Sequence, residues 1–373
     1  MPGDSAALPC SPLSHDSRPR RLRIVASPPG ATALARRVTI LYGSGMTAVH
    51  VLIAHAADSP DAAAFRTALA RFGDRIALAF AAGAELARAV PGAEIVVCQG
   101  LSEDELARAE RLRWLSSWAA GVEHVARPAV FDRGIVLTNA SGVHGPNMAE
   151  HLLAMILMAT RGMPRFQRAQ LARRWDRRLS SRAEGPGELS GKTLLIVGLG
   201  RIGEAVAARA RPFGVRIVAV KHDPSTRHDA GVAVDELVGM TALDDVLGRA
   251  DHVCLIVPLT RDTHHLIDAR RLALLRPGAW LYNLSRGGVI DQAALVDALR
   301  AGRLAGAGLD VFEHEPLPED SPLWELDNVI LTPHVAGLTP HYFERAAALF
   351  ADNLDRYLAG QPLRNVYDPA RGY

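Results

Sequence analysis

Short apolar runs alternate with stretches of helical periodicity in the first half of this chain. Continuous apolar runs are typical of strands buried on both faces, and helices between them are typical of βαβ units. The predicted strands are residues 49–54, 76–80, 95–98, 113–117 and 135–138, and the predicted helices are residues 62–72, 84–90 and 103–111. The pattern therefore predicts an α/β fold with a parallel sheet.

A long predicted helix, residues 146–161, and a basic connection, residues 173–191, precede a second alternation. Its predicted strands are residues 193–197, 216–220, 252–257, 279–284, 305–310 and 329–331. The last predicted helix, residues 342–358, is expected to return to the first sheet. A chain of 373 residues is long enough for two domains. We expect one domain from residues 46–145 with 336–365, and the other from residues 146–335 with the helix 146–161 between them.

The composition fits a globular protein, with 49% hydrophobic and 22% charged residues. A net charge of +2 argues against a nucleic-acid partner. The longest apolar helical run, residues 152–159, is far too short to span a membrane. The three cysteines, Cys10, Cys98 and Cys254, are too widely spaced to indicate a disulfide framework or a metal site. A cytoplasmic location is expected.

The first 45 residues differ from the rest of the chain, since they contain Pro, Ser and six arginines but only two acidic residues. This composition predicts a disordered extension, or a start assigned upstream of a true beginning at Met46. An arginine-rich transit peptide is the alternative.

The sequence from Gly198 to Gly203 lies between a predicted strand and a predicted helix, as a dinucleotide-binding turn requires. Gly198 permits the tight turn, Gly200 lets the backbone approach a pyrophosphate, and Gly203 lets the helix pack closely on the strand. The helix N-terminus, at Arg201 and Ile202, then faces the phosphates with free N–H groups. The turn therefore predicts a nucleotide cofactor.

Candidate catalytic side chains follow three predicted strands of the second sheet. Arg286 stands at the end of one strand, where its planar fork could bind a substrate carboxylate. Asp310 and Glu315 follow the next strand, and His334 follows the last. Paired with a carboxylate, the His334 imidazole would favour its protonated form, which suits it to donate a proton to a carbonyl oxygen.

Four motifs, GLGRIG, NLSRGGVID, LDVFEHEP and PHVAG, resemble in order and spacing the D-isomer-specific 2-hydroxyacid dehydrogenase family. They occupy residues 198–203, 283–291, 309–316 and 333–337. The resemblance covers about residues 95–340 and includes WAAGVE at residues 118–123. It implies a Rossmann domain inserted into a flavodoxin-like substrate domain, a closing cleft and a homodimer.

The same resemblance implies roles for individual residues. Arg286 would orient a 2-oxo acid, His334 would protonate its carbonyl oxygen, and Glu315 would hold and tune His334. The substrate carboxylate would meet backbone N–H groups of the loop at Ala120 and Gly121. Residues placed along the cofactor by the resemblance are Pro258, Thr263 and Ser285, with Asp310 near the nicotinamide carboxamide.

One position departs from relatives that use NAD. These carry an acidic residue at the end of the second Rossmann strand, whereas this chain has Lys221 and His222 there. Because a basic pair could bind a 2′-phosphate that a carboxylate would repel, NADP is the preferred coenzyme, with NAD the alternative. Asp223 lies 20 residues after Gly203 and could still contact a ribose.

Other histidines have no companions at the spacing of metal ligands, so we predict no metal site. His144 borders the predicted cleft, where it would either contact substrate or serve the helix entry. The predicted function is NAD(P)H-dependent reduction of a small 2-oxo acid, of the glyoxylate or hydroxypyruvate type, to the D-2-hydroxy acid. The alternatives are a nucleotide-sensing corepressor-like scaffold without turnover and a phosphite-type oxyanion dehydrogenase.

Overall fold

The computed structural model describes residues 48–122, 124–175, 177, 185–225 and 232–369. The predicted N-terminal extension, Cys10 and part of the predicted connection at residues 173–191 lie outside the described residues.

Five parallel strands form the first sheet, with helices between them. The strands are β1 (Val49–Ile53), β2 (Ile76–Phe80), β3 (Ile95–Cys98), β4 (Trp114–Ser117) and β5 (Val136–Thr138), and the helices are α1 (Pro60–Leu69), α2 (Ala84–Ala89), α3 (Glu103–Arg108) and α4 (Pro128–Asp132). Their order, β2-β1-β3-β4-β5, is the flavodoxin order. This order confirms the parallel α/β fold predicted for the first half of the chain, which is called the first body below.

Local sequence signals explain where these helices begin. Ser59 caps α1, accepting a hydrogen bond from the amide of Ala62, and Pro60 stands in the first turn. Ser102 and Glu105 form a reciprocal capping box at the start of α3. Strand β3 is buried along its whole length, as its continuous apolar run predicts, and β4 is buried too although it ends in Ser116 and Ser117.

Seven parallel strands form the second sheet. They are β6 (Thr193–Val197), β7 (Arg216–Lys221), β8 (Glu236–Gly239), β9 (His252–Leu255), β10 (Trp280–Asn283), β11 (Gly306–Leu309) and β12 (Val329–Leu331). The order β12-β11-β10-β9-β6-β7-β8 reverses between β6 and β9, which is the Rossmann switch point where ligands bind at the carboxyl ends of strands. Strand β8, at the sheet edge, was not predicted.

Helices pack on both faces of this sheet. They are α5 (Gly145–Thr160), α6 (Met163–Leu171), α7 (Arg201–Ala210), α8 (Leu243–Leu247), α9 (Ala269–Leu274) and α10 (Gln292–Arg300). Helix α5 packs closely against α7, with Gly145 allowing the approach of Ala205. Two buried clusters, one on each face, form the core. Helix α6 was not predicted.

The last helix, α11 (Tyr342–Leu358), packs on the first sheet, as the sequence predicts. The buried ring of Trp114 on β4 lies 5.0 Å from Phe350 and 5.5 Å from Tyr357, measured between ring centroids. Val366 then pairs with Thr138 of β5 in an antiparallel bridge. No helix in the part of the chain that the structure describes combines the length and apolar character of a membrane span.

Candidate active site

The turn from β6 into α7 contains two glycines, Gly198 and Gly203, that no other residue could replace without displacing the backbone. Gly198 has a φ of 106°, and a Cβ there would lie 2.2 Å from the carbonyl oxygen of Ile256. A Cβ at Gly203 would lie 2.3 Å from the carbonyl oxygen of Gly198. A Cβ at Gly200 would meet no described atom within 4 Å, so this backbone faces open space. The turn therefore fits a dinucleotide pyrophosphate at the helix N-terminus.

The other residues that the resemblance assigns to the cofactor lie at strand ends and loops of the second sheet and at the start of α7. Thr263 organises the loop after β9, since its hydroxyl donates to the carbonyl of Pro258 at 2.6 Å and accepts from the amide of Thr260. Lys221 is the last residue of β7 and is half-buried, and His222 is exposed beside it. Arg201 lies against Gly142, and Ile202 is half-buried.

Arg286 is presented by a turn that the buried side chain of Asn283 organises. The Asn283 Oδ1 accepts from the amide and the hydroxyl of Ser285, at 3.0 and 2.7 Å, and its Nδ2 donates to the Arg286 carbonyl. The exposed Arg286 guanidinium donates to the Ser285 carbonyl at 2.8 Å. A Cβ at Gly287 would lie 1.9 Å from the Phe312 backbone, so this glycine brings the ends of β10 and β11 together.

His334 and Glu315 meet across neighbouring strand ends. The His334 Nδ1 lies 2.7 Å from the Glu315 Oε2, and the other carboxylate oxygen accepts from the amide of Phe312 at 3.0 Å. Burial raises the pKa of Glu315, but the hydrogen bonds from His334 and Phe312 and the charges of His334 and Arg286 outweigh it and lower that pKa overall. Glu315 is therefore a carboxylate at neutral pH.

The segment that carries His334 is held by the buried carboxylate of Asp310. This carboxylate accepts from the Thr332 hydroxyl at 2.6 Å and from the amides of Val335 and Ala336 at 2.9 and 3.0 Å. His334 itself has a φ of 54°, a left-handed conformation that costs energy for a residue with a Cβ. Asp310 therefore stabilises a strained turn that points His334 towards Glu315.

The loop after β4, which the resemblance assigns to the substrate carboxylate, is bonded to the start of α11. The backbone N–H groups of Ala120 and Gly121 have no hydrogen-bond acceptor among the described residues. The carbonyl of Trp118, just before them, accepts from the Tyr342 hydroxyl at the start of α11. Burial raises the pKa of Tyr342 to about 12, so the hydroxyl remains a donor.

Sequence reasoning missed the supporting roles of two residues that stand within the motifs. Asn283 bonds to Ser285 and Arg286 in its own turn, and Asp310 bonds to residues that follow the neighbouring strand, contacts that a linear sequence does not place. In the sequence alone, Tyr342 is recognisable only as an aromatic residue at the start of a predicted helix. Among the residues that the structure describes, no cluster of His, Cys, Asp or Glu could hold a metal ion.

A glycine turn at a Rossmann switch point, with a guanidinium and a carboxylate-bound imidazole at nearby strand ends, defines a nicotinamide-dependent oxidoreductase. A family model described as "D-isomer specific 2-hydroxyacid dehydrogenase, NAD binding domain" matches residues 153–336. The glyoxylate reductase of Thermofilum pendens is 37% identical over 280 residues, which cover 74% of this chain and 82% of that protein. The D-3-phosphoglycerate dehydrogenase of Methanocaldococcus jannaschii is 36% identical over 288 residues, 76% of this chain and 53% of that protein.

The solved structures agree. A D-isomer specific 2-hydroxyacid dehydrogenase from Xanthobacter autotrophicus, in complex with NADPH and MES, superposes with a TM-score of 0.72 at 30% identity, covering 88% of this chain and 100% of that one. This chain belongs to the D-isomer-specific 2-hydroxyacid dehydrogenase family. It is an enzyme that acts on CH–OH groups with a nicotinamide dinucleotide, as the motifs predicted.

Proposed function

We propose that this enzyme reduces a small 2-oxo acid, of the glyoxylate or hydroxypyruvate type, to the D-2-hydroxy acid. The observation that carries the proposal is the 2.7 Å contact between His334 and Glu315 beside the exposed Arg286. A carboxylate next to an imidazole stabilises its charged form, and a charged imidazole can donate a proton. An exposed guanidinium nearby, with donors beyond the one used for the Ser285 carbonyl, suits a substrate that carries a carboxylate.

Each group has one task in this proposal. Arg286 and the N–H groups of Ala120 and Gly121 bind the substrate carboxylate and orient the carbonyl. His334 donates its Nε2 proton to the carbonyl oxygen, and Glu315 stabilises the imidazolium through Nδ1. The nicotinamide dinucleotide, when bound, supplies the hydride. We propose that Asp310 acts by positioning His334, in addition to its expected place near the nicotinamide carboxamide.

We further propose that the glycine turn, with Arg201, Ile202, Pro258, Thr263 and Ser285, holds the dinucleotide. NADP is the proposed coenzyme because Lys221 and His222 stand at the end of β7, where a carboxylate would repel a 2′-phosphate. The NADPH in the Xanthobacter structure supports this choice. We also propose that the five-stranded body with α11 is the substrate domain and that the enzyme is a homodimer.

A matrix of 2-oxo acids against NADPH and NADH, followed by the loss of reduced-nicotinamide absorbance, tests the proposal. Arg286→Ala should lower kcat/KM about 10²- to 10³-fold, because the lost interaction is a charge-assisted, two-point contact. Arg303→Ala, an exposed arginine outside the site, is the control and should match wild type. Turnover of phosphite alone, or of no 2-oxo acid, would overturn the proposal.

A further inference from the structure

The ring of His144, just before α5, is held between two parts of the proposed site. Its Nδ1 lies 2.9 Å from the carbonyl oxygen of Gly337, three residues after His334. Its ring packs on Tyr342, with 5.0 Å between centroids, and the Tyr342 hydroxyl donates to the carbonyl of Trp118. His144 therefore bridges the segment that carries the proton donor and the loop that faces the substrate carboxylate.

The bond to Gly337 fixes the tautomer of the His144 ring. A carbonyl oxygen only accepts, so Nδ1 carries the hydrogen, and in the neutral ring Nε2 is an acceptor. Burial lowers the pKa of His144; the bond to Gly337 opposes this, and the charges of Arg286 and Arg345 lower the pKa further. The ring is therefore neutral near neutral pH, and its Nε2 has no hydrogen-bond partner among the described residues.

The other polar side chains around His144 are already engaged. Arg345 donates to the carbonyl of Val143 at 3.2 Å and to the Asn147 Oδ1 at 3.1 Å. The Asn147 Nδ2 donates to the carbonyl of Ala336 at 2.8 Å. Because the Tyr342 hydroxyl is bonded to Trp118, the Nε2 of His144 is a neutral side-chain acceptor that these neighbours leave without a partner.

We propose that the His144 Nε2 accepts a hydrogen bond from a hydroxyl on carbon 3 of the substrate, so that the site selects 3-hydroxy-2-oxo acids. This rests on the proposed function, in which Arg286 binds the carboxylate on carbon 1 and His334 faces the oxygen on carbon 2. Carbon 3 is then the remaining part of a small 2-oxo acid. A methyl group in place of that hydroxyl would leave the Nε2 of His144 without a donor. A phosphate there would place its negatively charged oxygens, which only accept hydrogen bonds, next to the lone pair of Nε2.

Hydroxypyruvate and 2-oxobutyrate are a matched pair of probes, because they differ by a hydroxyl in place of a methyl group. The ratio of their kcat/KM values should favour hydroxypyruvate in the wild type. His144→Asn can keep a donor on Gly337 but loses the Nε2 position, and His144→Phe keeps the ring against Tyr342 but loses both nitrogens. Both should lower the ratio about five- to tenfold, the range of one neutral hydrogen bond.

Two controls separate selectivity from structure. Glyoxylate has no carbon 3, so its kcat/KM should change less than about threefold in these variants. His144→Gln places an amide oxygen near the Nε2 position and should restore part of the ratio. Equal losses on all three substrates, or an unchanged ratio, would overturn the inference while leaving the proposed function in place. A wild-type enzyme that reduces no 2-oxo acid would refute both.

Discussion

His334 is strained in its backbone and bonded in its side chain, and the two facts are connected. Its left-handed φ of 54° is maintained because Asp310 accepts three hydrogen bonds from the surrounding turn. Thr332, one of the three donors, has its hydroxyl 3.0 Å from the Nε2 of His151. The geometry of His334 is therefore determined by buried Asp310 and the half-buried residues bonded around it.

Glu315→Gln tests the charge on this pair at the residue scale. The amide can still bond to His334 but carries no charge to stabilise an imidazolium. We expect kcat/KM for reduction to fall about tenfold or more, because the imidazolium that donates the proton loses its carboxylate partner. The measurement is a pH–rate profile in the direction of reduction.

Glu313→Gln is the matched control for that variant. Glu313 lies two residues away and bonds to His265 at 2.9 Å, so the same chemical change is made outside the His334 pair. Its profile should overlay that of the wild type. An identical loss of rate in both variants would mean that a general change of charge, and not the His334 contact, is responsible.

His252 predicts a pH dependence of stability that is separate from catalysis. Burial lowers the pKa of this histidine from 6.5 to about 4, and its Nδ1 bonds to the Tyr282 hydroxyl at 3.0 Å. Below pH 6.5, His252 is protonated in the unfolded chain but stays neutral in the folded chain. This residue therefore lowers the free energy of unfolding as the pH falls towards 4. The gap corresponds to about 3 kcal/mol.

The double variant His252→Phe, Tyr282→Phe removes both polar partners together. Its free energy of unfolding, measured by urea denaturation between pH 7 and pH 4, should fall less steeply than that of the wild type by about 3 kcal/mol across the range. His50→Gln changes an exposed histidine on β1 and should leave the slope unaltered. Parallel curves for the double variant and wild type would rule out His252 as the source.

At the scale of elements, burial decided which ones could be predicted. Strands β3, β6 and β9 are buried on both faces, so their sequences are continuous apolar runs. Strand β8 is a half-buried edge strand that includes Glu236, and its sequence carries no such run. Helix α6 has one buried residue, Ala169, and leaves Met163 and Leu171 exposed, so its pattern resembles a polar connection.

The candidate site could likewise be predicted only where its residues follow buried, apolar strands. Arg286, Glu315 and His334 each follow a predictable strand, so parallel topology alone brings their strand ends to one edge. The supporting bonds made by Asn283 and Asp310 depend on the exact path of the turns, which sequence patterns do not specify. Motifs therefore predict which groups could react, and tertiary contacts explain how they are held.

The glycine pair after Arg286 gives a sharp test at the element scale. A Cβ at Gly287 would lie 1.9 Å from backbone atoms of Phe312, which cannot move without separating β10 from β11. Gly287→Ala should lower the free energy of unfolding by about 3 kcal/mol and reduce activity, since overpacking forces the backbone apart. Urea denaturation and kcat/KM are the measurements.

Gly288→Ala is the control, one residue further along. Its Cβ would meet the side chain of Leu259 at 3.5 Å, an ordinary contact, so stability should stay within about 1 kcal/mol of the wild type. If both variants were equally stable, the close approach of the two strand ends would not be needed for folding.

At the scale of the whole molecule, contacts around the start of α5 connect the two sheets. Asn147 and His144 bond to the carbonyls of Ala336 and Gly337, and Arg345 on α11 bonds back to Val143. The His334 segment is thus bonded to the start of α5, which α11 contacts from the first body. Closure of the proposed cleft would have to move these contacts as a unit.

The proposed homodimer predicts the effect of removing an exposed apolar surface. Met163, Leu171 and Trp175 lie within one short segment and are 50%, 79% and 93% exposed, more than a solvated helix needs. We expect the wild type to sediment at twice the mass of one chain. The double variant Leu171→Ser, Trp175→Ser should raise the dissociation constant of the dimer at least tenfold. Trp324→Ser, an exposed tryptophan outside this segment, should leave the mass unchanged. A wild-type monomer at micromolar concentration, or a double variant that remains dimeric, would contradict this assignment.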